Sequence, residues 1–210
     1  MCDCDCESDS VAGVKIGQKV PDFTLDTYDP GEGEFGKLSL AKQLEKKRWT
    51  LLFFYPADFT FVCATEFAAL EEKREQFAKL GCDIVTVSTD THFVHLAWRQ
   101  HERELQNVRY QMGSDANGEL SRLFGIYDDA SGTAFRGAYL INPEGLLLTI
   151  EVNVNNVGRN VDEILRKLKA NIYTAKNSNE VCPAKWRDEG DKTLVPSAKL
   201  VGKVHEALNG

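Results

Sequence analysis

The sequence predicts an α/β fold, a central mixed β-sheet flanked by helices, followed by an extended C-terminal arm. Three observations carry that expectation. Two continuous apolar and β-branched runs, RWTLLFFY (48–55) and CDIVTVST (82–89), have the pattern of strands covered on both faces. A stretch with helical spacing lies between them, and strands alternating with helices mark this class. Beyond Ala175 the composition shifts to Asn, Ser, Lys, Pro and Gly, which suits an arm rather than a second domain.

Taken in order, residues 1–12 are acidic, polar and without periodicity, so a mobile tail is expected there. The domain then runs over 13–175. PDFTLDTY (21–28) alternates as an edge strand does, DPGEG (29–33) is a turn, and FGKLSLAKQL (35–44) reads as a short strand leading into a helical turn. From Cys63 to Gly81 the spacing is helical, with Phe67, Leu70, Phe77 and Leu80 on one side, the charged run Glu71–Glu75 on the solvated side, and Gly81 as C-terminal cap. THFVHLAWRQHEREL (91–105) and 117–124 read as further helices. AFRGAYLI (134–141) and LLLTIEVNV (146–154) pair across the turn NPEG as a hairpin. A last helix spans Asn160 to about Ala175, and residues 176–210 form the arm.

Composition excludes several function classes. The chain has 210 residues, within reach of one domain of about 100 to 200 residues plus an arm. A formal net charge of -7 does not suit a phosphate-neutralising surface, so no nucleic-acid partner is expected. No apolar run approaches the roughly 20 residues of a membrane span, and MCDCDCESDS is acidic where a secretory leader is basic and then apolar. A cytoplasmic protein with no membrane partner follows. Its six cysteines then read as reduced thiols, each with its own employment.

Cys63 stands where a central strand gives way to a helix. First-turn N–H groups have no intrahelical partner and the helix dipole is positive there, so a thiolate at that point is stabilised. Thr60, three residues before it, has a hydroxyl in reach of the sulfur or of a bound oxygen. The plainer reading, a small buried hydrophobe, fits any free cysteine and suits Cys82, which opens a strand with no helix terminus or placed hydroxyl beside it.

The run FYPADFTFVCATEF (54–67), with Pro56, Thr60 and Cys63 in that spacing, resembles the peroxidatic motif of the peroxiredoxins. EVCPAKW (180–186) is similar to the resolving-cysteine segment of their typical two-cysteine members, and STDTHFVHLAW (88–98) matches the same family. The branch resembled is that of the bacterial alkyl hydroperoxide reductase peroxidase subunits, over roughly Lys15 to Lys203. The resemblance implies a thioredoxin-like fold and a thiol peroxidase acting on hydrogen peroxide and organic hydroperoxides in antioxidant defence, with no cofactor and no metal. It implies that Cys63 becomes a sulfenic acid and that Cys182, on the partner subunit's arm, resolves it as an intersubunit disulfide. Arg136 matches the catalytic arginine, Glu66 would orient it, and Pro56 would shield the sulfur. Implied partners are a thioredoxin-like or flavoprotein disulfide reductase and a second copy of the chain, a homodimer assembling further into a pentamer of dimers.

Two departures stand out. Ala64 occupies a position where the family commonly has proline, with a consequence for helix unwinding whose sign the sequence leaves open. The Gly-Gly-Leu-Gly insertion and C-terminal Tyr-Phe pair that accompany over-oxidation are absent, so resistance to sulfinic acid formation is expected.

Weaker signals remain. His92 and His95, with His101 on the same helix, have i, i+3 spacing compatible with a metal, or with packing near a dimer contact. Cys2, Cys4 and Cys6 suit soft-metal capture, adventitious oxidation or no specific role. Arg159 reads as a second arginine near the site or as a surface or capping residue. A thioredoxin-type oxidoreductase normally needs a C-x-x-C pair, absent at the active position. A ring-forming holdase chaperone is the non-enzymatic alternative.

Overall fold

The computed structural model describes residues 13–209; the tail thiols Cys2, Cys4 and Cys6 lie outside the described residues. The sheet is organised around β3 (Trp49–Phe54), buried along its whole length. Its alternation feeds two cores: Leu51, Phe53 and Tyr55 enter one layer, Leu52 and Phe54 the other. Beside it lie β4 (Cys82–Ser88), parallel, and β8 (Arg136–Ile141), antiparallel.

The hairpin is completed by β9 (Leu147–Asn153), the edge strand on that side. On the other side β4 pairs in parallel with β5 (Gln111–Ser114), which pairs antiparallel with β1 (Thr24–Asp29). The edge there is β2 (Glu34–Ser39), giving the order β2-β1-β5-β4-β3-β8-β9. The expectation that 21–28 forms an edge strand is therefore corrected. Alternation reports that only one face of a strand is buried, here through Leu25 and Tyr28, and says nothing of its lateral neighbours.

β5 was not legible in the sequence. It has four residues, no β-branched side chain, and a glycine whose place is set by the fold: a Cβ on Gly113 would come within 2.8 Å of Leu25 Cδ1. A further two-stranded ribbon pairs β6 (Tyr127–Asp128) with β7 (Thr133–Ala134).

Of the helices, α1 (Leu40–Glu45) and α4 (Glu119–Leu123) are single short turns at the ends of loops. The long pair α2 (Phe61–Lys79) and α5 (Val161–Lys176) pack together on one face of the sheet, through Phe67, Leu70, Phe77, Ile164, Leu165 and Leu168. α3 (His92–His101) stops before the expected end at Leu105. Glu102 turns extended and its carboxylate accepts the Glu104 N–H, a local bond that competes with helix and leaves only a 3₁₀ turn at Arg103–Leu105.

After α5 the chain folds back on that helix. Val181 and Leu194 pair, Trp186 is buried, and a short α6 (Val204–Asn209) follows with no buried residue. Among the described residues no helix is long and apolar enough to cross a membrane.

Candidate active site

The strand-to-helix crossing puts Cys63 in the first turn of α2, two residues deeper than the sequence suggests, because the helix begins at Phe61. Phe61 is 93 % exposed and so adds nothing to the apolar periodicity that locates a helix. Thr60 is the extended cap residue, and no side chain caps this end, so the first N–H groups of the helix keep their positive potential. Cys63 itself is fully buried.

Around its sulfur the fold gathers three charged side chains from distant segments. Arg136, at the start of β8, donates from Nη1 to Cys63 Sγ at 3.2 Å and to Glu66 Oε2 at 2.7 Å, while its Nε donates to the Asn155 carbonyl at 2.9 Å. Arg159 approaches Glu66 from the opposite side. Its backbone N and Nε donate to Oε1 at 2.8 and 3.0 Å, and its Nη2 donates to Oε2 at 3.0 Å. The remaining Nη1 donates to the Gly137 carbonyl at 2.6 Å, and the guanidinium lies 3.2 Å from the Phe53 ring centroid.

Two buried guanidinium groups thus face one carboxylate, and one of them also donates to the buried Cys63 sulfur. Burial pulls the Arg159 pKa down, against the Glu66 contacts that raise it. Gly158 makes the approach possible. A Cβ there would press on Val62 Cγ1 at 3.2 Å, a contact tighter than ordinary van der Waals distance.

The other expected residues are placed as follows. Pro56 is buried directly after β3. Thr60 does not bond the sulfur: its hydroxyl donates to the Ala57 carbonyl at 2.8 Å, which leaves the oxygen lone pairs as acceptors for a peroxide proton. Ala64 donates its N–H to the Thr60 carbonyl at 3.2 Å. Proline has no N–H to donate, so alanine adds a bond that holds the first turn closed. Arg159, which the sequence left between a site and a surface role, is a buried part of the cluster. Cys63, Cys82 and Cys182 are all free thiols; Cys82 is buried and pushed by desolvation far above the usual thiol range.

His95 and His92 are employed within the fold, while His101 is exposed at the end of α3 with Nδ1 donating to the Ala97 carbonyl at 2.7 Å. His95 is fully buried, with Nε2 donating to the Gly113 carbonyl at 3.1 Å and Nδ1 at 2.7 Å from Asp58 Oδ2. Both ring nitrogens are therefore committed. His92 stands against Phe35 and Phe93. No group of three metal-ligating side chains occurs among the described residues.

Sequence reasoning missed the second buried network. Asp58, in the loop between β3 and α2, accepts from Tyr55 Oη at 2.6 Å, faces His95, and its N–H donates to Asp90 Oδ2 at 2.8 Å. Burial pushes the Asp58 carboxyl up against the His95 contact that pulls it down. An aspartate next to the Pro56 loop was the available signal. His95→Leu strands this carboxyl in the core and is expected to cost about 3 kcal/mol, lowering Tm by about 6–12 °C. Calorimetry showing an unchanged Tm would mean the network does not tether the loop.

Comparison with known proteins shows the family. The AhpC/TSA family matches residues 16–150, and the C-terminal domain of 1-Cys peroxiredoxin matches 173–204. Alkyl hydroperoxide reductase C of Staphylococcus aureus is 41 % identical over 189 residues, covering 90 % of this chain and 98 % of that protein. Among solved structures, Enterococcus faecalis AhpC is 40 % identical with a TM-score of 0.77, covering 81 % of this chain and 99 % of that one. The reduced 2-Cys peroxiredoxin of Plasmodium vivax is 31 % identical with a TM-score of 0.82, covering 89 % and 98 %. A buried thiol held by an arginine at a helix N-terminus, on a thioredoxin-like sheet with these relatives, places the chain in the AhpC/TSA family as a peroxiredoxin, a thiol-dependent peroxidase.

Proposed function

We propose that this peroxidase works through Cys63 as the attacking thiolate and Cys182 as the resolving thiol, in the cytoplasm, on hydrogen peroxide and small organic hydroperoxides. The observation that carries the assignment is the buried Cys63–Arg136–Glu66–Arg159 cluster, in which a guanidinium donates to the fully buried Cys63 sulfur at 3.2 Å. The thiolate attacks the distal peroxide oxygen, the O–O bond breaks, and the leaving oxygen departs as water or alcohol after taking up a proton. Cys63 is left as a sulfenic acid.

Arg136 and the first-turn N–H groups stabilise the charge moving onto the oxygens, and the Thr60 hydroxyl oxygen accepts a hydrogen bond from the peroxide O–H to align it. Cys182 then displaces the sulfenic oxygen, and a thioredoxin-like or flavoprotein reductase opens the disulfide. The two thiols meet across a homodimer. The C-terminal part of the β9 edge, with Val152 exposed and Val154 exposed just beyond it, supports such a pairing. The exposed ring cluster of Phe35 and Phe93 supports further assembly as a pentamer of dimers.

The test is peroxide consumption with a coupled reductase, followed by non-reducing gels. Cys63→Ser is expected to be inactive, Cys182→Ser to stop after one turnover, and only the wild type to give a dimer linked through the two residues. Full activity in Cys63→Ser would sink the assignment.

A further inference from the structure

Among the described residues, Lys47 and Phe59 are the two that hold a positive φ without being glycine. Lys47 lies in the exposed turn after α1. Phe59, at φ 58°, stands between Asp58 and the Thr60 cap of α2, in the left-handed region where Cβ is pressed against the following carbonyl oxygen. For a bulky side chain this is a backbone outlier, and such strain persists only where surrounding bonds over-determine it.

Those bonds lie on both sides of it. Upstream, the Asp58 N–H donates to Asp90 Oδ2 at 2.8 Å, and its carboxylate accepts from Tyr55 Oη at 2.6 Å and faces His95 Nδ1 at 2.7 Å. Downstream, the Thr60 hydroxyl donates to the Ala57 carbonyl at 2.8 Å, and the Ala64 N–H donates to the Thr60 carbonyl at 3.2 Å. The Phe59 ring adds little hold of its own: it is 55 % exposed, with its centroid 6.3 Å from that of Trp98.

Beyond this residue lies a sulfur that has to travel. Cys63 is fully buried in the first turn of α2, and a disulfide needs the two sulfurs in contact with Cα atoms within about 7 Å. The first turn must therefore open for Cys63 to meet another thiol. Asp58 is buried and anchored, so the chain turns at the next residue.

We infer that Phe59 is the strained hinge of this opening: its left-handed backbone is held while the first turn of α2 is closed, relaxes as the turn opens, and so favours delivery of oxidised Cys63 to the resolving thiol. It is a positioning residue and touches no reacting atom. The inference rests on the assignment of Cys63 and Cys182. In the step it serves, the Cys182 thiolate attacks Sγ of the Cys63 sulfenic acid. The S–S bond forms as the S–O bond breaks, and the departing hydroxide takes up a proton as water.

The experiment compares full-length Phe59→Ala with Phe59→Asn beside the wild type. Both changes remove the same half-exposed ring, but alanine keeps the strain, whereas the short polar side chain of asparagine tolerates the left-handed region. Hydrogen exchange of the first-turn amides of α2 is read by mass spectrometry in the reduced proteins, and the two oxidation phases by stopped-flow tryptophan fluorescence. Phe59→Asn is expected to exchange about threefold to fivefold more slowly than Phe59→Ala and to show a second phase slower by the same factor, with equal first phases. A ring that only packs would move both variants alike. Equal exchange in the two, or faster exchange in Phe59→Asn, overturns the inference; so do equal second phases, because the strain then has no part in resolution. If both variants lose the first phase, their urea midpoints decide: relief of strain makes Phe59→Asn the more stable, and equal midpoints overturn the inference. A wild type with no peroxide-dependent phase refutes the peroxidase cycle instead, and the exchange comparison still tests the hinge.

Discussion

Arg136→Met is expected to lower kcat/KM for hydrogen peroxide by about a thousandfold, a loss near 4 kcal/mol of transition-state stabilisation. Loss of thiolate cannot account for such a fall. An unperturbed thiol with a pKa near 8.5 is about 3 % ionised at pH 7, so removing every influence that favours the anion costs no more than about 30-fold. The rest comes from position. One guanidinium bonds the Asn155 carbonyl, Glu66 and Cys63 Sγ together, and in the proposed cycle this is where a peroxide oxygen gains charge.

Arg136→Lys separates charge from geometry. An ammonium keeps the cation but lacks the rigid fork that reaches all three partners, so most of the loss should persist. The measurement is pre-steady-state oxidation of Cys63 beside its thiolate absorbance at several pH values. A fall in rate that tracks the ionised fraction alone would show that the arginine only lowers the thiol pKa.

Glu66→Gln is expected to produce the largest stability loss of any single change at the site, about 3–5 kcal/mol, or about 6–20 °C in Tm. The carboxylate receives hydrogen bonds from Arg136 and from the backbone and side chain of Arg159, all in the protein interior. Glutamine has the same shape but no charge, and its amide N–H₂ points a donor at a donor. Two guanidinium cations are then left with the Cys63 thiolate as their single counterion.

A second consequence can be measured. Adding Cys63→Ser to Glu66→Gln should destabilise by more than the sum of the separate effects, since it removes the last anion. Thermal unfolding of the four proteins in the cycle checks this; additive losses would mean that the cluster is not neutralised by the thiolate.

Most of the fold could be read in advance where many residues repeat one physical demand. β3 and β4 are apolar on both faces because both faces are covered, and α2 and α5 carry apolar stripes because they share one layer. The elements that escaped were those whose existence depends on neighbours. β5 forms because β1 and β4 present unpaired edges to it, and the two-residue strands β6 and β7 are too short for any period. The lateral place of β1 escaped for the same reason.

By itself, the sequence determined the kind of sheet, the long helices, and the short run that singles out Cys63 with Thr60 and Pro56 close to it. Those are properties of local pattern, or of residues close together in the chain. Only the tertiary structure decided which charges meet. Glu66 and Arg159 are 93 positions apart, and Cys63 and Arg136 are 73. The Asn155 and Gly137 carbonyls that hold the arginines are backbone atoms, which every residue possesses and no sequence marks. The place of Arg159 and the Asp58–His95 pair arise because folding removes these groups from water, and each must then find a partner within about 3 Å wherever the chain has placed one.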